Sequence, residues 1–194
     1  MTNTVDYKGF KIEIFYDDFD FDNPNEWGDE QQLVHYHRDY TIKSEVITEH
    51  EAKEFANGVK IEQLKKYYIF PVTSYIHSGI RLYLGEKYGF DNSNCGLILI
   101  DRTEATNEIS AQEIANKRLN TWNCVLNGEV YGFYIEKIDD SRCGGYIGDP
   151  KTSGLMDEAR STIDYHLKRK AKLKQAKLKK YIKSQVPLQY RFTS

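Results

Sequence analysis

The sequence predicts an α+β domain with a mixed, mainly antiparallel sheet, two short-to-medium helices and a long basic C-terminal helix. Segments in which apolar and polar residues alternate, as in half-buried strands, are mixed irregularly with segments of helical character. Tyrosine and phenylalanine, which favour sheet structure, number 15 and 9 among the 194 residues. This length suffices for one well-cored domain, placed at residues 1–154, with 155–194 as a helix and tail that pack on it or project from it.

The first strand is predicted at residues 8–16, where Phe10, Ile12 and Ile14 recur at every second position. The segment QLVHYHRDYTI, residues 32–42, alternates in the same way and is predicted to be its partner strand. Between them, NPNEWGD carries Asn, Pro and Gly, which suit a long connection better than a two-residue hairpin turn.

Thr48 precedes Glu51 by three residues, the spacing of a capping box, so a helix is predicted there, with helical character continuing in VKIEQLKKYY. The next segment, YIFPVTSYIHSGIRLYLG, is predicted to form two strands or one bent strand, in which Pro71 is restricted to an edge or a bulge. CGLILID is a short apolar run between polar turns, which predicts a buried strand.

A second capping-box spacing, Ser110 with Glu113, predicts a helix that runs to about Cys124. NGEVYGFYIEKI is typical of a turn followed by a strand, and DDSRCGGYIGDP of a glycine-rich turn with a short strand. A long basic helix is predicted from about residue 155 to about residue 184. Its apolar stripe comprises Ala159, Ile163, Leu167, Ala171, Leu178 and Ile182.

The net charge of −2 conceals a strong polarity along the chain. Residues 1–60 hold 14 acidic against 6 basic residues, whereas residues 165–194 hold 10 basic residues and no acid. Such asymmetry indicates a charged partner, or else that the two ends of the chain face each other in the fold. The sequence alone leaves both interpretations open.

Three observations predict a location in a reducing cytoplasm. No apolar run approaches the roughly 20 residues that span a bilayer. The start MTNTVDYKGF lacks the charged and apolar regions of a signal peptide. The cysteines, Cys95, Cys124 and Cys143, are odd in number and form no CxxC pair, so reduced thiols are expected.

The acidic stretch IFYDDFDFDNPNEWGDE, residues 14–30, holds seven carboxylates. It does not fit a calcium loop of the EF-hand type, because Asn23-Pro24 stands where the sharp turn needs glycine and both flanks are predicted strands. No metal site is predicted there. A mimic of a nucleic-acid backbone and a solvated connection with partner contact remain alternatives. The residues predicted to bind a partner are Asp18, Asp20, Asp22, Glu26 and Asp29.

The sequence contains no complete catalytic motif, and no catalytic residue or cofactor is predicted. His35 and His37 share a strand face as two metal ligands do, but no third ligand lies near them in the sequence. A cysteine/histidine enzyme would need an arrangement such as Cys143, beside Arg142, with His77 and Asp101.

The C-terminal segment HLKRKAKLKQAKLKKYIK is the strongest physical signal in the chain. Its cations would bind phosphates in a salt-dependent manner, would engage an acidic protein groove with Leu167, Leu173 and Leu178 as anchors, or would only form a solvated helical face. Attachment to a membrane surface is not predicted, because the apolar side has no Trp or Phe. The residues predicted to bind the partner or DNA are Lys168, Arg169, Lys172, Lys174, Lys177 and Lys180.

Three blocks of the sequence resemble a family of small proteins encoded by tailed bacteriophages, including staphylococcal and other Firmicute phages, mostly of unknown function. The blocks are DNPNEW with QLVHYHRDY, PVTSYIHSGIRLY with GLILIDRTEA, and WNCVLNGEVYGFYIE with CGGYIGD, and they cover most of residues 6–149. The sequence departs from the family where GEKYGFDNSNCG replaces a tryptophan-rich stretch. The family has no established catalytic residues, so the resemblance implies none.

The resemblance implies a non-enzymatic host-takeover protein. The expected partner is the primary sigma factor of host RNA polymerase, bound at region 4, with inhibition of host transcription and the basic helix near promoter DNA. One alternative is an inhibitor of host defence, anti-restriction or anti-CRISPR, which acts through the acidic surface. The other alternative is a cysteine/histidine-dependent enzyme.

Overall fold

The computed structural model describes residues 3–17, 32–38, 40–77 and 79–185. The predicted α+β class with a long C-terminal helix is confirmed, and the described residues form three α-helices and two antiparallel sheets. The contacts between backbones divide these residues into two compact units. The first unit comprises the described residues of 1–17 and 131–194, and the second those of 18–130.

The elements follow one another in the order strand, strand, strand, strand, helix, strand, strand, strand, helix, strand, strand, helix, with a short 3-10 helix Glu62–Lys66 before the fifth strand. The strands are β1 Asn3–Tyr7, β2 Phe10–Tyr16, β3 Gln32–His37, β4 Tyr40–Ile42, β5 Tyr67–Ile76, β6 Ile80–Leu84, β7 Asn92–Asp101, β8 Val130–Ile135 and β9 Cys143–Ile147. The helices are α1 Glu49–Ala56, α2 Glu108–Leu126 and α3 Leu155–Gln185.

The first unit is a four-stranded sheet in the order β1-β2-β8-β9, with the start of α3 in its core. In the β2–β8 pair, Ile12 lies opposite Ile135 and Ile14 opposite Phe133. Side chains that face each other in this way have close Cβ atoms and form the unit of sheet stabilisation. The buried core of this unit contains Ile12, Ile14, Phe133, Ile135, Ile138, Leu155, Met156, Ala159 and Ile163.

Gly132 in β8 has a steric role in this sheet. A Cβ atom at Gly132 would lie 2.4 Å from the Phe15 ring and 2.7 Å from the backbone oxygen of Cys143. The Arg142 guanidinium also packs on the Phe15 ring, 4.5 Å from the ring centroid. Gly132 therefore allows neighbouring strands to close around the ring, which is a packing reason for the glycine in EVYGFYIE.

The second unit is a five-stranded sheet in the order β4-β3-β7-β5-β6, with buried clusters on both faces. Helix α2 packs on one face through Ala111, Ala115, Leu119 and Trp122. Helix α1 and the 3-10 helix cover the other face through residues that include Ala52 and Leu64. The central strand β7 is buried on both faces, as the apolar run CGLILID predicts.

One predicted pairing is wrong. The segment that begins at residue 32 does not pair with the strand of residues 8–16. Strand β2 pairs with β1 and β8, whereas β3 pairs with β4 and β7 in the other sheet. Alternation of apolar and polar residues shows that a segment is a half-buried strand, but it carries no information about which strand lies beside it.

The first predicted helix start is confirmed and the second is wrong. At α1, the Thr48 side chain accepts from the Glu51 backbone N–H, and the Glu51 carboxylate accepts from the Thr48 backbone, which completes the capping box. At α2, the cap is Asn107 rather than Ser110. Ser110 occupies the third helical position, where its hydroxyl accepts from the Asn107 N–H. Serine can fill either role in a capping box, so spacing alone shifted the start by three residues.

Of the two alternatives predicted for YIFPVTSYIHSGIRLYLG, two strands or one bent strand, the structure has two strands, β5 and β6. Strand β5 lies between β7 and β6, but its pairing with β6 begins only at Thr73. Pro71 therefore has a paired strand, β7, on one side only, and its carbonyl accepts from the Gly85 N–H at 2.7 Å. An irregularity in the β5–β7 register follows immediately, between Val72 and Thr73.

The exposed edge of β6 is closed by an asparagine of α2. The Asn123 side-chain amide accepts from the Leu82 N–H at 2.7 Å and donates to the Leu82 carbonyl at 3.0 Å. One turn later, the Asn127 amide donates to the Ile80 carbonyl at 3.0 Å. The two amides occupy the place of a neighbouring strand, and an edge paired in this way is protected against pairing with another chain.

We expect Asn123→Ala to lower the free energy of unfolding by about 2 kcal/mol, because two partly buried backbone groups of Leu82 lose their partners. Equilibrium urea unfolding measures the change. Asn116→Ala is the matched control, since Asn116 lies on the same helix and bonds only to Gln112 within it. Equal stability of the two variants would contradict the interpretation of Asn123 as an edge clamp.

Candidate functional site

The outer half of α3, residues 168–185, is the candidate functional site and is called the basic segment here. Every residue in it is exposed, although the helix begins inside the core of the first unit. It carries nine Lys and Arg residues and no Asp or Glu. At about 1.5 Å per residue it is about 27 Å long. All six cations predicted to bind a partner, Lys168, Arg169, Lys172, Lys174, Lys177 and Lys180, lie on it.

The first half of α3 anchors the basic segment. Leu155, Met156, Ala159 and Ile163 are buried against the sheet of the first unit, with Leu167 partly buried behind them. This part of the predicted apolar stripe therefore faces a core. Helix formation that tertiary packing supports in one half can propagate along the chain into the other half, because extension is easier than nucleation.

An ion pair marks the end of the anchored half. The Lys8 ammonium lies 2.6 Å from the Asp164 carboxylate, which also accepts from the Tyr7 hydroxyl at 3.4 Å. The hydrogen bond and charge of Lys8 lower the pKa of Asp164, and Asp164 raises the pKa of Lys8. Two residues further along α3, the His166 ring makes an edge-to-face contact with Phe10 of β2, with centroids 5.9 Å apart. Asp164 is the last acidic residue of the sequence, so the charge of α3 changes abruptly at this point.

The apolar residues of the basic segment form a strip along one side of the helix. At about 100° per residue, Ala171, Leu178, Tyr181 and Ile182 fall within an arc of about 100°. The side chains of Leu178, Tyr181 and Ile182 are 57%, 63% and 54% exposed. The same spacing places Leu173, also exposed, on the far side of the helix.

Cations border this strip on both edges. Lys170 and Lys177 lie along one edge, and Lys168, Lys172 and Lys179 along the other, by the same helical spacing. Several cations are also four residues apart, such as Lys168 with Lys172 and Lys179 with Lys183, and like charges at that spacing repel. The negative end of the helix dipole offsets part of that repulsion at Lys183. An anionic partner would offset the remaining repulsion between these lysines.

The five acidic residues predicted to bind a partner lie outside the described residues. They are Asp18, Asp20, Asp22, Glu26 and Asp29. Pairing of this stretch with the basic segment remains a prediction. The alternative function that depends on this stretch, inhibition of host defence through an acidic surface, also remains a prediction. The one carboxylate of the stretch that the structure describes, Asp17, accepts from the Gly145 N–H at 2.8 Å within the first unit.

The structure reveals a thiol–imidazole contact that the sequence did not predict. In the second unit, the Cys95 sulfur lies 3.3 Å from His35 Nε2, and His35 Nδ1 lies 3.0 Å from the Tyr40 carbonyl oxygen. Because a carbonyl only accepts, Nδ1 carries the proton and Nε2 presents its lone pair to the thiol. The Ser74 hydroxyl lies 3.6 Å from the same sulfur.

A bulge brings these groups together. Val72 lies opposite Gly96 and Thr73 opposite Asn94, so Cys95 has no partner residue on β5. An extra residue of this kind redirects a side chain. Gly96 leaves room for the imidazole, since a Cβ atom there would lie 3.2 Å from the His35 ring. Sixty positions separate Cys95 from His35, and no local pattern announces a bulge, so sequence reasoning had no signal for this pair.

The pair is held in its neutral form. Burial raises the pKa of the Cys95 thiol and lowers the pKa of His35, and both shifts disfavour a thiolate–imidazolium pair. In the unfolded chain the pKa of His35 is that of an ordinary histidine, near 6.5. Since its pKa is lower in the folded state, its contribution to stability is complete above pH 6.5 and is lost as the pH falls toward the lowered value. The contact therefore acts as a structural hydrogen bond at neutral pH.

We expect the three thiols to react with Ellman's reagent at different rates at neutral pH, with Cys143 the fastest. Cys143 is exposed, whereas burial raises the pKa of both Cys95 and Cys124 and so lowers their thiolate fractions. Variants that each retain one cysteine separate the three rates, and the same variants in urea give the unprotected rates. A Cys95 rate equal to that of Cys143 in the folded protein would contradict the neutral pair.

The residues considered for a cysteine/histidine enzyme fall in different units. Cys143 belongs to the first unit and accepts from the Tyr146 hydroxyl at 3.6 Å. In the second unit, the Asp101 carboxylate accepts from the backbone N–H and the hydroxyl of Thr103. The His77 ring stacks on Tyr75 with centroids 6.3 Å apart. Each side chain thus has a local structural contact.

The two histidines considered as metal ligands lie on one strand face, with ring centroids 6.3 Å apart. His35 is committed to Cys95 and Tyr40 through its two ring nitrogens. Within the described ranges, no group of three or more His, Cys, Asp or Glu side chains is arranged to hold a metal ion.

No helix in the described part of the chain is both long enough and apolar enough to cross a membrane. Comparison with protein-family models, with curated proteins and with solved structures found no match to this chain. The interpretation of the basic segment therefore depends on its own charge, exposure and shape.

Proposed function

We propose that the protein is a non-enzymatic binding protein that contacts a host macromolecule through the basic segment. The observation that carries the proposal is the exposure of all of residues 168–185 on a helix whose first half is fixed in a core. Nine cations without an acid give this helix a strong field, which attracts an anionic partner and speeds its approach.

In its most specific form, the proposal is that a phage encodes this protein and that the protein inhibits host transcription. Its partner is then region 4 of the primary sigma factor of RNA polymerase, and promoter DNA lies within reach of the lysines. This form draws on the resemblance of the three sequence blocks to phage proteins.

The position of the three resembling blocks in the sequence supports separate roles for two parts of the chain, a scaffold and a binding segment. Three residues with a packing role, Gly96, Gly132 and Asn123, lie in the resembling blocks of residues 6–149. The basic segment lies outside those blocks. The blocks then specify a scaffold, and the segment beyond them is free to match a particular partner.

Capture of purified RNA polymerase tests the proposal. The full chain, immobilised through a tag at its N-terminus, is expected to retain the holoenzyme that contains the primary sigma factor, and not the core enzyme without it. In vitro transcription from a sigma-dependent promoter is expected to fall when the full chain is added. Retention of neither form of polymerase would overturn the narrow proposal, and equal retention of both would overturn the role of sigma.

A further inference from the structure

We infer that the basic segment binds as a helix in an apolar groove with acidic rims on a partner protein. This inference rests on the proposed function and specifies the chemistry of its partner. The strip of Ala171, Leu178, Tyr181 and Ile182 enters the groove, and the cations on its two edges meet carboxylates on the two rims. Peptide helices that bind grooves use anchors at such helical spacings.

Exposed apolar area is the first argument. Leu178, Tyr181 and Ile182 are each more than half exposed and lie within two turns of one another. Among the described residues, none covers the side chains of this apolar cluster. Burial of apolar surface is favourable in proportion to its area, so a groove that covers all three side chains gains affinity.

The position of the cations is the second argument. The cations are not confined to the face opposite the strip. Lys170 and Lys177 lie along one edge of the strip, and Lys168 and Lys179 lie along the other. A groove presents two rims, and acidic residues on each would face one row. Charge complementarity of this kind fixes the register and raises the association rate.

The same features argue against the two other anionic occupants. Phosphates of a nucleic acid would neutralise the cations but would leave Leu178, Tyr181 and Ile182 in water. A membrane surface favours a broad, continuous apolar face, whereas this strip covers an arc of only about 100° and includes Lys174, whose long side chain can extend to a charged rim of a groove. Discrete anchors that are bordered by charge fit a protein groove better than either.

The test uses calcium-loaded calmodulin, whose apolar groove and acidic rims supply the inferred chemistry. The full chain is expected to bind it, and the double variant Leu178→Ser/Ile182→Ser to bind at least about ten-fold more weakly. Leu173→Ser is the matched control, because Leu173 is equally exposed but lies on the far side of the helix, and its affinity is expected to change less than about two-fold. Circular dichroism of each variant shows whether the helix is retained.

Short duplex DNA and vesicles of phosphatidylserine and phosphatidylcholine form the comparison arms. The double variant is expected to bind DNA as the wild type does, because its charge is unchanged. The inference is overturned if the wild-type chain does not bind calmodulin, if Leu173→Ser loses as much affinity as the double variant, or if the vesicles are bound more tightly than calmodulin.

Polymerase capture separates this inference from the proposed function. Holoenzyme retained equally by the wild type and by the double variant would overturn the groove inference and leave the proposed function intact. Conversely, loss of calmodulin binding in the double variant, with no holoenzyme retained by either protein, supports the groove inference and rejects the proposed partner.

Discussion

Glu104→Ala is expected to lower the free energy of unfolding by about 3 kcal/mol, the lower end of the range for breaking a buried ion pair. The Glu104 carboxylate pairs with the guanidinium of Arg118, which is 7% exposed and lies among the core residues of α2. The guanidinium group of arginine is always charged in proteins. Removal of the carboxylate therefore leaves a buried charge without its counter-ion, whereas the partial exposure of Glu104 moderates the loss.

Urea unfolding at neutral pH measures this change, with Glu113→Ala as the control. Glu113 lies on the same helix but is exposed, and its replacement is expected to change the free energy of unfolding by less than about 0.5 kcal/mol. The double variant Glu104→Leu/Arg118→Met replaces both charges by apolar groups and is expected to regain most of the stability. If Glu104→Ala is as stable as the control, the pair does not contribute to stability.

Replacement of Lys168, Lys172, Lys179 and Lys183 by glutamine is expected to weaken binding of duplex DNA and to reduce its dependence on salt. Each lysine that neutralises a phosphate contributes about 0.9 to the slope of log affinity against log salt concentration. The slope is therefore expected to fall by about three to four. All four residues are exposed and share one side of the basic segment, so one duplex can contact them together.

Fluorescence anisotropy of labelled DNA over a series of salt concentrations measures the slope. The matched control replaces four exposed lysines elsewhere, Lys11, Lys60, Lys117 and Lys151, and changes the net charge by the same amount. If both variants lose the same slope, the net charge of the chain and not the basic segment determines binding to DNA.

Local patterns predicted most elements of the fold. The Thr48–Glu51 spacing placed a helix start correctly because a capping box satisfies backbone groups within one turn. Strand β7 and the long helix α3 were predicted because their apolar periodicity follows directly from burial. The same kind of pattern misplaced the start of α2, since serine fits both the cap position and the third helical position of a capping box.

The candidate site was predicted in part. The charge of the basic segment is a property of composition, so its cations could be named before the fold was known. The exposure of the basic segment could not be predicted in the same way. In the sequence, the apolar stripe that begins at Ala159 and Ile163 continues without a break to Leu178 and Ile182. Only the structure shows that the first part is buried and the second is not.

Residues close together in the sequence specify the strand and helix periods, the cap at Thr48 and the uniform charge of residues 168–185. Contacts between distant segments establish which strands pair, where β7 bulges to bring Cys95 to His35, and where α3 leaves its core. The two kinds of feature differ in the distance along the chain over which their interactions act. Periods and caps arise from interactions within a few residues, whereas pairing and burial depend on packing between segments that the sequence holds far apart.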